Sequence, residues 1–152
     1  MDRILSIDPS GTGTTGICLI NDKTKGLTKT IEFKEIKDIY WKNHYNFIVS
    51  NINLYQPNLL LFENTNFISN RTKDSLNLIR LLGAIECLAI EKVESINVVK
   101  VKQLSKELFK GVKLIKDLEY LPGRGKGWMF NGKRVSIHCL EAFIVYYLWK
   151  GK

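Results

Sequence analysis

The sequence has 152 residues, of which 45% are hydrophobic, 25% charged and 11% aromatic. This composition is typical of a globular domain of ordinary size and excludes a disordered tail. No run of 18 apolar residues occurs, and the first residues lack a basic stretch followed by an apolar one. We therefore expect neither a membrane span nor a secretory signal.

The net charge of +8 lies in the last third of the chain. Residues 1–96 contain eleven basic and eleven acidic side chains, whereas residues 97–152 contain twelve and four. The three cysteines, Cys18, Cys87 and Cys139, are far apart and each lies within an apolar run. This pattern predicts buried free thiols in a reducing compartment, and hence a cytoplasmic protein, in the host cytoplasm if the source is a virus.

The predicted elements begin with three strands joined by short turns. Residues 3–8 alternate and are rich in Ile and Leu, and a Pro-Ser-Gly turn follows them. Residues 14–21 are apolar and β-branched, and residues 27–34 alternate again after a polar turn. These features predict an antiparallel meander.

From residue 38 the apolar positions recur every three or four residues, which predicts a helix that ends at residue 55. Residues 59–63 form a short apolar run, typical of a strand that is buried on both faces. The remaining pattern predicts a helix over 74–93, a strand over 96–101, a short helix over 103–109, a glycine-rich loop over 110–133 and a helix over 135–148.

This order of elements predicts one α/β domain over residues 1–152. Its sheet is expected to have five strands of mixed direction, an antiparallel meander of three followed by parallel strands, with helices on both faces. No linker, internal repeat or low-complexity segment interrupts the pattern.

Two acidic residues end predicted strands inside apolar runs. Asp8 ends the first strand and Glu63 the fourth, and a buried carboxylate is costly unless it is paired or bound to a metal. Ligands gather at the carboxyl ends of strands in α/β sheets, so we expect both side chains to face one crevice. On the last helix, His138 and Glu141 lie three residues apart and share one face.

These four residues predict a site for hard divalent cations such as Mg²⁺, which prefer carboxylate oxygens and tolerate an imidazole beside them. Two such ions about 4 Å apart can activate a water and stabilise the leaving oxygen in phosphodiester cleavage. Each residue also has a structural alternative: Asp8 as a turn residue, Glu63 as a cap, and His138 with Glu141 as a polar patch on a helix.

The segment 123–134 combines glycines, basic residues and two aromatic residues. Glycine lets a phosphate chain approach the backbone closely, and contacts of Lys and Arg with phosphates release counterions. Trp128 and Phe130 are candidates for stacking on unpaired bases. The alternative is a solvated basic loop whose two aromatic residues lie in the core. The basic residues predicted to bind DNA here are Arg124, Lys126, Lys133 and Arg134.

Three motifs resemble those of the RuvC-type Holliday junction resolvases, which belong to the RNase H-like superfamily. Residues 4–16 resemble the first-strand motif of that family, residues 61–64 its second acidic motif, and residues 138–142 its last motif. The resemblance implies an RNase H-like fold and a homodimeric, Mg²⁺-dependent endonuclease that nicks two strands of a four-way DNA junction symmetrically. It further implies that two Mg²⁺ ions, for which Mn²⁺ can substitute, are held by the catalytic residues Asp8, Glu63, His138 and Glu141.

The sequence departs from this family at several positions. The last acid is Glu141 where the family usually has Asp, and Asn66 holds the place of a Phe that wedges into the junction, with Phe67 one residue later. Lys102 matches a family lysine after the fifth strand, and Lys113 falls at the spacing of a second lysine, but the Gly-x-Gly-x-Ala pattern that precedes that lysine in the family is missing. By this resemblance Lys102, Lys113 and Phe67 are further candidate DNA contacts.

Other functions are compatible with parts of this pattern. The segment 123–134 has no counterpart in the cellular enzymes, which suggests a viral or divergent branch. The glycines after Asp8 also resemble the phosphate-binding loop of actin-like kinases and ATPases, but those folds close two domains over a nucleotide. A nuclease of the same superfamily that acts on RNA or other branched DNA, or a non-catalytic DNA-binding module, would keep the fold and the charge. The candidate dimer contacts are Leu81, Ile85 and Leu88, which serve a monomer core equally well.

Overall fold

The structure is a computed structural model that describes residues 2–22, 29–65, 73–125 and 127–152. The strands are β1 (Asp2–Asp8), β2 (Thr14–Asp22), β3 (Thr30–Lys37), β4 (Leu59–Asn64), β5 (Lys92–Asn97), β6 (Leu118–Leu121), β7 (Gly127–Phe130) and β8 (Lys133–Val135). The helices are α1 (Trp41–Tyr55), α2 (Lys73–Glu86), α3 (Val98–Phe109) and α4 (Ile137–Lys150).

The main sheet has five strands in the order β3-β2-β1-β4-β5. Strands β1, β2 and β3 are antiparallel neighbours, whereas β4 runs parallel to both β1 and β5. Strand β1 is central and is buried from Ile4 to Asp8, as its apolar run predicts. The predicted five-stranded mixed sheet is confirmed.

Helices cover both faces of this sheet. Because side chains alternate along a strand, Ile4, Ser6 and Asp8 of β1 face one side and Leu5 and Ile7 face the other. The first face packs against α3 and α4, and the second against α1 and α2. Helix α4 is buried continuously from Cys139 to Tyr146, which explains why its sequence is apolar on nearly all sides.

The boundary between β5 and α3 differs from the prediction. The helix predicted over 74–93 ends at Glu86, the strand lies at Lys92–Asn97, and the helix that follows begins at Val98. The side chain of Asn97 accepts a hydrogen bond from the backbone N–H of Val99 at 2.8 Å, which caps the helix and ends the strand. The apolar run 96–101 is therefore shared between two elements.

The prediction of a loop over 110–133 is wrong, because strands in this part of the chain form a second, antiparallel sheet of three strands in the order β6-β7-β8. Phe130 pairs with Lys133 across a two-residue turn in which Asn131 and Gly132 both have positive φ angles, 49° and 78°. Asn-Gly is the preferred sequence for such a hairpin turn, so a local signal for this sheet was present.

The aromatic residues of this second sheet belong to the core. Trp128 is buried, with its ring centroid 5.3 Å from that of Tyr120, and Phe130 packs edge-on against Phe33 at 5.4 Å. The structure therefore favours the alternative in which these two aromatic residues lie in the core, and burial leaves Trp128 unavailable for stacking on DNA bases. The small sheet instead closes one end of the apolar cluster that surrounds α4.

All three cysteines are free. Cys18 and Cys139 are buried as predicted, but Cys87 is exposed because it follows the last residue of α2. Across the described parts of the chain, no helix combines the length and the apolar character that crossing a membrane requires.

Candidate metal and nucleic-acid site

Strands β1 and β4 bring Asp8 and Glu63 together at the carboxyl edge of the sheet. In their parallel register Ile7 pairs with Phe62, so the next residues along the two strands, Asp8 and Glu63, are neighbours. Both side chains point to the face that α4 covers, and they are only 7% and 8% exposed. The register of two apolar strands thus places two carboxylates side by side in a buried position.

Helix α4 reaches the same place because β2 has a glycine opposite Asp8. Gly16 pairs with Asp8, and a Cβ atom at Gly16 would lie 2.3 Å from the carbonyl carbon of His138. No other residue type leaves room for the first turn of the helix. The hydroxyl of Ser6 on β1 donates a 2.6 Å hydrogen bond to the carbonyl of Ala142, which fixes the helix over the strand.

The start of α4 is also held by the neighbouring strand β3. Ser136 caps the helix by accepting a hydrogen bond from the N–H of Cys139 at 3.2 Å, and its hydroxyl donates to Glu35 at 2.6 Å. The Cys139 thiol donates to the carbonyl of Lys34 at 3.3 Å. These contacts determine where the residues of the first turn and a half of α4 lie on the sheet.

Three carboxylates meet at this point. Oxygens of Asp8, Glu63 and Glu141 all lie within 4.8 Å of one another, and all three residues are buried. His138 contacts the group through Asp8, with its Nδ1 3.2 Å from Oδ2 of Asp8. Because a carboxylate can only accept, Nδ1 donates in this contact and Nε2 is left for another interaction. The structure thus brings together all four residues that the sequence singles out.

Burial and the contacts within the cluster change the protonation of its side chains. Burial, followed by the charge of Asp8, raises the pKa of Glu63 to about 9. Burial also raises the pKa of Glu141, and it outweighs the lowering effect of the hydrogen bond from Lys102. The hydrogen bond to Asp8 raises the pKa of His138, against a smaller opposing effect of burial. Without a cation, the site therefore retains protons that isolated side chains would release.

Lys102 supplies a positive charge to the same cluster. Its Nζ lies 2.7 Å from both carboxylate oxygens of Glu141, although the lysine side chain is 52% exposed. Partial burial lowers the pKa of Lys102, but its hydrogen bonds to Glu141 and the nearby carboxylates raise the pKa above its usual value. The lysine therefore stands charged at the mouth of the site.

The residues present fit a divalent cation. Oε2 of Glu63 is buried and has no hydrogen-bond partner in the described structure, an arrangement that costs free energy unless a ligand satisfies the oxygen. Three converging carboxylates with an adjacent imidazole are a donor set for hard metals such as Mg²⁺ or Mn²⁺. The cluster can thus hold a metal through Asp8, Glu63 and Glu141, with His138 beside it.

A buried histidine that the sequence did not reveal supports the turn after Asp8. His44 on α1 is completely buried, with Nδ1 2.8 Å from the Thr15 hydroxyl and Nε2 2.7 Å from the carbonyl of Asp38. Thr15 in turn accepts the N–H of Ser10 at 2.9 Å, and Asp38 donates its N–H to the carbonyl of Gly13 at 3.0 Å. These hydrogen bonds connect β2, the start of α1 and the turn that follows β1.

The predicted DNA contacts are spread over several elements. Lys102 lies in the site, and Lys113 is exposed after the end of α3. Arg124 and Lys133 are exposed, whereas Arg134 donates a 2.7 Å hydrogen bond back to the carbonyl of Gly125. Two predicted contacts, Lys126 and Phe67, lie outside the described residues, as does Asn66.

Comparison with solved structures extends over nearly the whole chain. RuvC of Thermus thermophilus in complex with a Holliday junction substrate is 18% identical, with a TM-score of 0.65 over 99% of this chain and 97% of that chain. A second Thermus thermophilus RuvC structure is 17% identical, with a TM-score of 0.60 over 98% and 96% of the two chains. The yeast mitochondrial Holliday junction resolvase is 15% identical, with a TM-score of 0.56 over 97% and 77%.

Neither a family model nor a curated protein matches this sequence. The likeness therefore lies in the fold, which the arrangement of strands and helices and the solved structures establish together. The chain has the RNase H-like fold in the form found in RuvC-type resolvases.

Proposed function

We propose that this protein is a metal-dependent endonuclease that resolves four-way DNA junctions by symmetric nicking, acting as one RNase H-like domain in each subunit of a homodimer. The observation that carries the proposal is the buried group of Asp8, Glu63 and Glu141 at the carboxyl edge of the sheet, with one carboxylate oxygen unpaired. Such a group is costly in a purely structural role, because buried carboxyl groups this close together must either repel each other as carboxylates or retain protons that exposed side chains release.

The residues of the cluster have different proposed roles. Asp8, Glu63 and Glu141 would hold Mg²⁺, with His138 adjacent, and the metal supplies Lewis-acid activation of water and stabilisation of charge on the phosphate oxygens. His138 donates through Nδ1 to Asp8 and so keeps that carboxylate oriented. Lys102 places a positive charge at the mouth, where it attracts a phosphate and balances Glu141.

The choice of DNA as the substrate rests on charge and on likeness of fold. The excess positive charge lies in residues 97–152, which include α3, the small sheet and α4. The similar Thermus thermophilus RuvC is described in complex with a Holliday junction substrate. Contacts to phosphates carry no sequence information, which suits an enzyme that recognises the shape of a junction.

The predicted dimer contact of Leu81, Ile85 and Leu88 needs a correction, because only Leu88 keeps part of its side chain exposed. Leu81 and Ile85 of α2 are completely buried in the core and are not available to a partner. On the opposite side of the same helix, Leu76 and Ile79 are 44% and 45% exposed, three residues apart on one face. We propose that this face of α2 contacts the second subunit.

A cleavage assay on a panel of substrates tests the proposed function. A four-way junction, a flap, a plain duplex and an RNA–DNA hybrid of equal length are incubated with the protein, with Mg²⁺ or with chelator. We expect paired nicks in the junction only when Mg²⁺ is present. Faster cleavage of flaps or hybrids would show that one of these, and not the four-way junction, is the preferred substrate. Binding without any cleavage would indicate a non-catalytic module.

A further inference from the structure

One face of α3 carries a row of lysines that starts in the metal site. Lys102, Lys106 and Lys110, which we call the α3 lysine row, are spaced four residues apart, so they lie on one face of the helix and its C-terminal turn. All three are exposed. The opposite face of α3 is apolar and packs into the core through Val101, Leu104 and Leu108.

The direction of the helix matters for this row. Strand β5 runs parallel to β4, so both end at the edge of the sheet where Glu63 lies, and α3 begins directly after β5. Lys102 is one turn into the helix and contacts Glu141. Each further lysine lies about 6 Å farther along the helix axis, given a rise of 1.5 Å per residue. The row thus leads outward from the carboxylate cluster.

The charge on this surface is strongly one-sided. From residue 98 to residue 116 the chain has six lysines and one acidic residue, Glu107. Glu107 accepts a hydrogen bond from Gln103 at 3.3 Å. Among the described residues, the salt bridges include one to Lys102 but none to Lys106 or Lys110. Two charges of the row are therefore available to an anionic partner.

We propose that the α3 lysine row binds consecutive phosphates of the DNA strand that enters the metal site, so that the strand runs along α3. The inference rests on the proposed function and extends it, because it fixes the path of the substrate strand beyond the carboxylate cluster. A phosphate held at that cluster lies within reach of Lys102, and its neighbours along the strand then pass over Lys106 and Lys110. In this proposal α3, rather than the hairpin of β7 and β8, is the main surface along which the DNA strand lies.

The test compares two double variants that each remove two positive charges. Lys106→Gln/Lys110→Gln alters the row, and Arg3→Gln/Lys92→Gln is the matched control, because Arg3 and Lys92 are exposed near the starts of β1 and β5, at the opposite edge of the sheet. Binding to a four-way junction is measured by fluorescence anisotropy over a range of salt concentrations, with Ca²⁺ in place of Mg²⁺.

We expect the row variant to lose affinity by about tenfold and to flatten the slope of log K against log salt by about 1.4 to 1.8, since each phosphate contact contributes about 0.7 to 0.9. The control should leave the slope within experimental error. An unchanged slope, or an equal change in the control, would overturn the inference.

The same measurement separates this inference from the proposed nuclease function. If the wild-type protein binds DNA through the α3 lysine row but cuts no substrate, the inferred path of the DNA strand is supported and the nuclease assignment fails. If the protein cuts junctions while the row variant binds with wild-type affinity and slope, the nuclease function is supported and the inferred path of the DNA strand along α3 is wrong.

Discussion

Glu63 shows in one side chain why this site is adapted to a cation. Its carboxylate is buried beside Asp8, and one of its oxygens lacks a hydrogen-bond partner in the described structure. Burial and the charge of Asp8 raise its pKa to about 9. In the metal-free protein Glu63 is therefore protonated at neutral pH, whereas a divalent cation would replace that proton.

This protonation predicts a pH-dependent stability for the metal-free protein. The folded state holds a proton that the unfolded chain releases near pH 4.5, so the contribution of Glu63 is complete below that pH and is lost as the pH rises towards 9. We expect urea unfolding in chelator to show a decreasing free energy of unfolding over this range. Glu63→Gln, which cannot ionise, should flatten the decrease and stabilise the protein at pH 8. Parallel curves for the two proteins would contradict this assignment.

Some residue roles could be predicted from the sequence and others could not. Asp8 and Glu63 are visible because a carboxylate at the end of an apolar strand is an exception to the local pattern. The contact between Lys102 and Glu141 joins residues 39 positions apart and depends on how α3 packs against α4, which no local pattern encodes. The role of His44 is equally hidden, because its partners, Thr15 on β2 and Asp38 between β3 and α1, lie outside its own helix.

At the scale of elements, the site depends on how closely α4 approaches β2. Gly16 is the point of contact, since a Cβ atom there would lie 2.3 Å from the carbonyl carbon of His138 and 2.6 Å from the backbone nitrogen of Cys139. Both neighbours are backbone atoms of a buried helix, so they cannot move aside as a flexible side chain would. A single glycine thus determines whether the two halves of the site meet.

Gly16→Ala is expected to push α4 away from the sheet and to destabilise the protein by about 1–3 kcal/mol. Cleavage should fall further than the loss of stability explains, because His138 and Glu141 move with the helix. Gly83→Ala in α2 is the matched control, since its Cβ would meet no atom within 4 Å and alanine favours a helix by about 1 kcal/mol. Thermal unfolding and cleavage rates measure both effects, and wild-type activity in Gly16→Ala would contradict the role given to this contact.

The elements that the sequence predicts best are those with long and regular apolar patterns. The meander, β4 and α4 follow from alternation, from a buried run and from an apolar helix. Strand β5 was misplaced because its sequence, at the edge of the sheet, is mostly polar and half-exposed. The sheet of β6, β7 and β8 was missed because its strands are only three or four residues long and lie among glycines.

At the scale of the whole molecule, paired cleavage of a symmetric junction requires two sites in a fixed relation. The exposed face of α2 with Leu76 and Ile79 is our candidate for the contact between subunits. Replacing both residues by Ser removes the apolar surface and leaves the buried Leu81 and Ile85 in place, so the fold should persist.

We expect light scattering after size exclusion to show a dimer for the wild-type protein and a monomer for Leu76→Ser/Ile79→Ser. The variant should still nick single strands of a junction but should lose the coordination of the two cuts. A variant that remains dimeric would exclude this face, and a wild-type monomer would exclude the homodimer itself.

The most direct measurement is the Mg²⁺-dependent nicking of a four-way junction by the wild-type protein and by Asp8→Asn. The substitution removes one ligand charge from the centre of the buried cluster and leaves the shape of the side chain almost unchanged. We predict that the rate falls by more than about 100-fold while junction binding survives, since even the groups that orient metal ligands change activity by about 10- to 100-fold. Nicking by Asp8→Asn at the wild-type rate would contradict the assignment of these carboxylates as the catalytic centre.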